Sequence, residues 1–308
     1  GFDWRQDHIG SGLFYQAGRS VFGVERDDRI VERNAGMYLQ EEIDVTPWMK
    51  AMVGVRHDRF RFDVGGREAY RSITGPKASL IVTPRRNVDL FVNYGRGFHS
   101  NDARSAALAA ADGYEIGMRK KLGERLELSA VYWMLDLAGE LVWVGDEGTT
   151  ELRGPTRRHG PEVELKWRLG RNLYWDANVN FTRAFGRGTG NRIPRAPTFL
   201  VGSGLAWRGP GKLSGNLRTR HVGAHALIED NSARAEALTV ADAGLKYQLR
   251  GGWSLLGSIE NLWNANYKEA QTYFPSRLRG EAAPVWDNHF TPGSPFTLRV
   301  GVEYNLER

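Results

Sequence analysis

Four groups of side chains in this sequence are equipped to hold a small molecule: Arg96, Phe98 and His99; Arg183, Phe185 and Arg187; Arg220, His221 and His225; and Tyr273, Phe274, Arg277 and His289. A guanidinium offers paired donors to an anion and an aromatic ring offers a stacking face, so the chemistry these groups suit is recognition. Each arginine also has a plainer role open to it, as a charge paired with the chain's own carboxylates, such as Glu162, Glu164 or Asp242. The four histidines could hold a bare metal ion, but their spacing outlines no particular site, and no metal is assigned. Covalent chemistry has little to work with. There is no cysteine to act as thiol nucleophile or zinc ligand, no Gly-x-Ser-x-Gly elbow and no His-Glu-x-x-His helix. Gly10-Ser11-Gly12 and Gly186, Gly188 and Gly190 lack the strand-to-helix setting of a phosphate loop. Asn180-Phe181-Thr182 fits a glycosylation sequon but falls inside a predicted strand.

The elements that would position these groups are strands. In Phe296 to Leu306 every even position is apolar or aromatic, while most odd positions are polar or small. Eleven residues of period two match a tilted strand crossing a bilayer, whereas strands of soluble proteins usually run about five or six. The alternation recurs in Val88–Tyr94, Leu126–Met134, Glu162–Leu169, Leu173–Thr182 and Asp242–Leu249. The second face of these strands carries Asp, Glu, Lys, Arg and Asn, which suits lipid on one side and a polar lumen on the other. A soluble sandwich with water-facing polar sides would alternate in the same way over shorter strands. Mean hydropathy is −0.47, and no stretch approaches the ~20 apolar residues of a membrane helix. That excludes a helical membrane protein but not a barrel, whose two faces average to a mild value.

Short turns are predicted at Thr46-Pro47-Trp48, Pro84–Asn87, Gly123-Glu124, Gly170–Asn172, Gly209-Pro210-Gly211 and Gly251-Gly252, all rich in residues that supply tight-turn dihedrals. Long connections are expected between them: Gly10–Arg33, Gly65–Thr74, Phe98–Asp112, Asp136–Arg158, Phe185–Arg195, Gly223–Ala237 and Asn264–Ser294. A short helical turn is expected in one of them, over Ser105–Ala111. Short turns on one side and long loops on the other, with about fourteen strands, is the asymmetry of an outer-membrane barrel. Trp48, Tyr94, Trp143, Trp167, Trp175, Trp207, Trp253, Trp263 and Tyr304 fall near strand ends, as aromatic girdles require. The +6 net charge comes from arginines scattered among strands and loops, not from a basic face with interleaved aromatics. Nucleic acid is therefore not an expected partner; anionic lipid or an anionic ligand is.

Several segments resemble, in order and spacing, the C-terminal part of the barrel of a TonB-dependent outer-membrane receptor. They are Asn34–Glu42 followed by Thr46-Pro47-Trp48 and Val53–Asp58; Gly75–Ser79 with Phe91–Phe98; Arg158–Glu164; Arg192–Pro197; Ile259–Tyr267; and Phe290–Pro295 leading into the last strand. That last strand is also similar to the insertion signal read by the barrel-assembly machinery, with Arg299, Gly301, Tyr304 and Leu306 in its pattern. Leu306 stands where the family usually has an aromatic residue, and Glu307-Arg308 follow.

The resemblance implies an all-β fold: an antiparallel transmembrane β-barrel, present in part as about 14 of about 22 strands over residues 1–308, with the plug domain outside this sequence. Gly1-Phe2-Asp3-Trp4 reads as the inside of a strand, so a longer protein is expected. Fourteen strands alone would leave two edges that lipid cannot satisfy. The family implies no enzyme and no cofactor. It implies a Gram-negative outer-membrane location, contact with lipid and lipopolysaccharide, TonB engaged through the plug, and uptake of a scarce nutrient such as an iron–siderophore or similar metal chelate. On this reading the four residue groups become loop and upper-lumen contacts for an anionic chelate. A passive porin-like channel is the alternative reading of the same strands.

Overall fold

The computed structural model describes residues 1–100, 108–144 and 149–306, with side chains described for all of these except 99–100, 140–144 and 149–153. Every regular element in them is a strand. Those of the N-terminal half are β1 (Phe2–Ala17), β2 (Ser20–Thr46), β3 (Met49–Val64), β4 (Arg67–Arg85), β5 (Val88–Ser100), β6 (Leu108–Leu122) and β7 (Leu126–Leu137). After β8 (Glu140–Val144) and β9 (Thr149–Arg153) come β10 (Thr156–Leu169), β11 (Leu173–Phe181), β12 (Arg183–Gly186), β13 (Phe199–Arg208) and β14 (Leu213–Val222). The rest are β15 (His225–Ala226), β16 (Arg234–Ala235), β17 (Leu238–Gln248), β18 (Trp253–Glu260), β19 (Lys268–Ser276), β20 (Val285–Pro292) and β21 (Thr297–Tyr304). The main sheet follows chain order, β1-β2-β3-β4-β5-β6-β7-β10-β11-β13-β14-β17-β18-β21, with β12 paired to β10 beside it. That path holds fourteen strands, the expected number.

Each predicted short turn joins two neighbours of this order, as at Pro47-Trp48 and Arg86-Asn87. The long connections are different from expectation. Gly10–Arg33 is no loop: β1 and β2 pair from Phe2↔Met37 to Ala17↔Ser20, with register shifts between Leu13 and Phe14 and between Tyr15 and Gln16. Gly65–Thr74 is likewise strand, apart from a turn at Gly65-Gly66, where φ of 58° and 86° favours glycine. Leu108–Ala111 opens β6 instead of forming a helical turn, and residues 105–107 lie outside the described residues. The connections after β14 and β18 hold the small hairpins β15–β16 and β19–β20, and β8–β9 forms another.

The chain divides into two compact units: Gly1–Pro84 with Leu90–Ile116 and Met134–Arg157, and Arg85–Asp89 with Gly117–Trp133 and Arg158–Arg308. In the first, Phe60 and Phe62 stack and are covered by Ala69, Ile73, Phe98 and Leu108. In the second, Ala226, Leu227, Leu238, Val240 and Ala241 are buried. Large apolar side chains are otherwise mostly exposed. Leu298, Val300, Val302 and Tyr304 are 59%, 69%, 63% and 50% exposed along one face of β21. A water-soluble fold would bury such a stripe. β21 itself, Thr297–Tyr304, is shorter than the eleven residues expected: its seven steps of ~3.4 Å tilted by ~40° rise about 18 Å, within the ~25 Å apolar band of a barrel.

Candidate lumen and rim site

Pairing sorts the second unit into two faces. Glu164↔Asn178, Asn178↔Gly202 and Gly202↔Arg220 form one row of the polar face; Lys166↔Asp176, Asp176↔Gly204, Gly204↔Arg218 and Arg218↔Asp242 form the next. The glycines leave room for their neighbours: a Cβ on Gly202 would stand 2.3 Å from Asn178 Oδ1, and one on Gly204 2.6 Å from Asp176 Oδ1. A concavity of about 560 Å³ results, lined by Glu164, Asp176, Asn178, Arg218, Arg220 and Asp242. A second, of about 760 Å³, lies nearer the short turns, among Lys121, Glu127, Lys166 and Arg168. Charges of both signs interleave, and Lys246 Nζ meets Glu303 at 2.6 Å while Arg299 pairs with Glu260.

The opposite face carries aromatic rings at two heights. Trp167 and Trp175 lie 6.2 Å apart, and Trp253 and Tyr304 4.6 Å apart, beside the short turns. At the far ends of the strands Phe181 and Phe199 stack at 4.6 Å, and Phe199 lies 5.5 Å from His221. The indole and phenol rings beside the short turns match one girdle of a membrane barrel, while phenylalanine and histidine rings mark the far level of the apolar stripe. The Trp143 side chain lies outside the described residues.

A family model for the "TonB dependent receptor-like, beta-barrel" matches residues 1–262. The chain belongs to that family. Its members are outer-membrane β-barrels that work as transporters, not enzymes. It is similar to the metal-pseudopaline receptor CntO of Pseudomonas aeruginosa, 26% identical over 91% of this chain and 42% of the relative. It is 27% identical to the pesticin receptor of Yersinia enterocolitica over 54% of this chain and 26% of that receptor. The chain thus spans less than half the length of these curated relatives. Among solved structures it resembles the siderophore receptor PiuA from Acinetobacter baumannii, with a TM-score of 0.76 at 14% identity over 98% of this chain and 52% of that one. The ferric yersiniabactin uptake receptor FyuA from Yersinia pestis gives 0.74 at 17% identity over 98% of this chain and 49% of that one.

In a barrel of this family the polar face lines the lumen and the long hairpins stand outside the cell. Against that frame the four sequence-derived groups separate. Arg220 lies on the lumen face and is held by Glu269 of β19 in a bidentate pair, both bonds 2.8 Å. His221, next in sequence, faces outward instead, its Nδ1 2.8 Å from Thr239 Oγ1. Successive strand residues point to opposite faces, so the two cannot share a lumen site. His225 sits in β15 with its Nδ1 3.0 Å from the Gly223 carbonyl oxygen. Arg183 lies over the Phe185 ring at 5.4 Å, Phe185 meets His159 edge-on, and His159 is 2.6 Å from the Tyr132 hydroxyl. Arg187 is exposed in the turn that follows.

Phe98, half-buried, packs edge-on against Phe60 beside the core cluster. Arg96 Nε stands 3.5 Å from Asp112, which also accepts the Tyr94 hydroxyl at 2.9 Å. The His99 side chain lies outside the described residues. The last group is the most concentrated. In the β19–β20 hairpin Tyr273 stacks on Trp286 and Phe274 on His289, at 5.6 and 3.9 Å, while Arg277 Nε donates to the Glu281 carbonyl at 2.7 Å.

What ties this hairpin down is a set of residues that carries no signature in the sequence. Gln271 accepts the Glu236 N–H and donates to the Glu236 carbonyl, Asn288 donates to Gln271, and Lys268 reaches the Glu236 carboxylate at 2.7 Å. Only folding brings these residues together, so spacing alone gave no sign of them. Of the assembly-signal residues, Arg299 and Gly301 lie on the lumen face, Tyr304 outward against Trp253, and Leu306 beyond the strand end, 80% exposed.

Proposed function

We propose that this chain is the C-terminal part of the barrel of an outer-membrane receptor that takes up a metal chelate of the iron–siderophore kind, with energy delivered through TonB acting on a plug. One observation carries the reading: aromatic stacks and arginines of the β19–β20 hairpin are anchored, through Arg220 and Glu269, to the rim of a lumen lined with both charges. Aromatic faces and guanidinium donors together suit a large anionic chelate. The family supports the TonB dependence, and the names of the metal-pseudopaline receptor and the ferric yersiniabactin uptake receptor support a metal–chelate cargo.

Arg183, Phe185, Arg220, Tyr273, Arg277 and His289 form the proposed contact set. Arg187 and His225 border it. The test is uptake of radioiron by a strain deleted for the gene and starved of iron, supplied as catecholate, hydroxamate and citrate chelates. Loss of uptake of one chelate, restored by the gene only when TonB is intact, is expected. Restored uptake that persists without TonB would make the protein a passive pore and overturn the reading.

A further inference from the structure

The outward wall made by β1–β4 carries a feature unrelated to cargo. Strand pairing sets Arg33 directly opposite Arg61, and Ala35 opposite Arg59, on the same face. Like charges directly opposed across an antiparallel pair are unfavourable without an anion between them. The neighbouring carboxylates relieve this only in part. Glu68 is taken up by Arg61 and by the Tyr70 hydroxyl, and Asp63 accepts the Gly66 N–H at 2.9 Å. Arg33 donates to Gln6 at 2.9 Å. Arg59 is exposed and, among the described residues, makes no ion pair or hydrogen bond. Arg61 Nε is buried with no hydrogen-bond partner.

The position of the cluster decides what the anion is. On the same outward face Trp4, 61% exposed, stands level with Arg59 in the row Trp4↔Ala35↔Arg59, and toward the short turns follow Met37 and then Leu39 beside Val55, the first two 66% and 74% exposed. These are apolar-band residues, and Trp4 occupies the level that indole prefers at a membrane boundary. Arg59 and Val55 are four residues apart, about 13 Å along the strand. The three guanidiniums therefore crown the lipid-facing wall at the height of the outer-leaflet headgroups. A ligand with phosphates at that level and acyl chains below satisfies the arginines and the apolar wall at once; a free anion satisfies only the former.

We propose that Arg33, Arg59 and Arg61 bind the phosphates of an outer-leaflet phosphoglycolipid whose acyl chains lie along the Trp4–Met37–Leu39 wall. The test uses the full-length receptor in detergent micelles, titrated with bis-phosphorylated lipid A and read by native mass spectrometry. Arg33→Gln/Arg59→Gln is compared with Arg85→Gln at a short turn, and folding of each is checked by heat-modifiable gel migration. With two of three guanidinium contacts removed, the double variant is expected to hold the glycolipid at least about tenfold more weakly than wild type. Arg85→Gln should match wild type, and lipid A stripped of its phosphates should bind wild type as poorly as the double variant binds intact lipid A. Equal retention by the folded double variant, or by dephosphorylated lipid A, would overturn the proposal. So would full displacement by millimolar inorganic phosphate, which would mark a free-anion site.

Discussion

Replacing Asn261 should loosen the base of the β19–β20 hairpin more than any other single change at that rim. Asn261 is 2% exposed and has a φ of 50°, a conformation that Asn tolerates and that costs Ala about 1 kcal/mol or more. Its side chain donates to the carbonyls of Ala265 and Ser294, each at 2.9 Å, and accepts the Ala265 N–H at 2.8 Å. Three hydrogen bonds at ~1 kcal/mol each, plus the backbone term, put Asn261→Ala at about 4 kcal/mol of local stability. Asn261→Gly avoids the backbone term and should cost about 3 kcal/mol. The bond from the Asn261 N–H to Asp242 Oδ1, 2.9 Å, survives both changes. Amide hydrogen exchange of the full-length receptor in detergent reads the effect. Exchange at Ala265 and along β19 should accelerate several-hundredfold in Asn261→Ala, and roughly fivefold less in Asn261→Gly. Acceleration below about tenfold in the Ala variant would refute the reasoning, because it would mean that less than about 1.4 kcal/mol was lost.

The other predictions concern the two faces and the outer rim. Val300→Arg, at mid-height of the lipid face of β21, should destabilise the folded barrel in vesicles by about 2–4 kcal/mol, whereas Asn216→Arg on the exposed polar face should cost under ~1 kcal/mol; urea unfolding separates them. Glu269→Gln breaks a pair whose side chains are 42% and 48% exposed, so global stability should fall by no more than about 1 kcal/mol while exchange in β19–β20 rises selectively. At the tip of β3–β4, outside the spanning segments, hydrogen bonds from the Tyr70 hydroxyl and then Arg61 hold the Glu68 carboxyl below its ordinary range. A lowered carboxylate pKa gives stability that is present above the unfolded value and lost as pH falls through the folded one. Carboxyl titration by NMR should therefore show Glu68 ionising at lower pH than a free glutamate, and Tyr70→Phe should move it back up.

How far the sequence could be read depended on what surrounds each strand. Where one side is lipid and the other lumen, as in Leu298-Arg299-Val300-Gly301-Val302, hydropathy alternates and the strand is plain from sequence. Beyond the bilayer both faces meet water, so alternation vanishes while ladder hydrogen bonds continue. The charged run Glu25-Arg26-Asp27-Asp28-Arg29 therefore looked like loop, yet lies within β2. The split between Arg220 and His221 was legible from parity alone. The pairing of Arg220 with Glu269, 49 residues away, was not, because hydrophobic period says nothing of which hairpin leans on which wall.

The central claim is that alternate residues of one strand separate lipid from lumen, and the absence of cysteine from all 308 residues makes that claim directly measurable. Single cysteines at positions 298 to 303, spin-labelled in the full-length receptor reconstituted in lipid, report access to oxygen from lipid and to a nickel chelate from water. The account predicts strict alternation, with 298, 300 and 302 oxygen-accessible and 299, 301 and 303 chelate-accessible. Equal access of the nickel chelate to all six positions would contradict it.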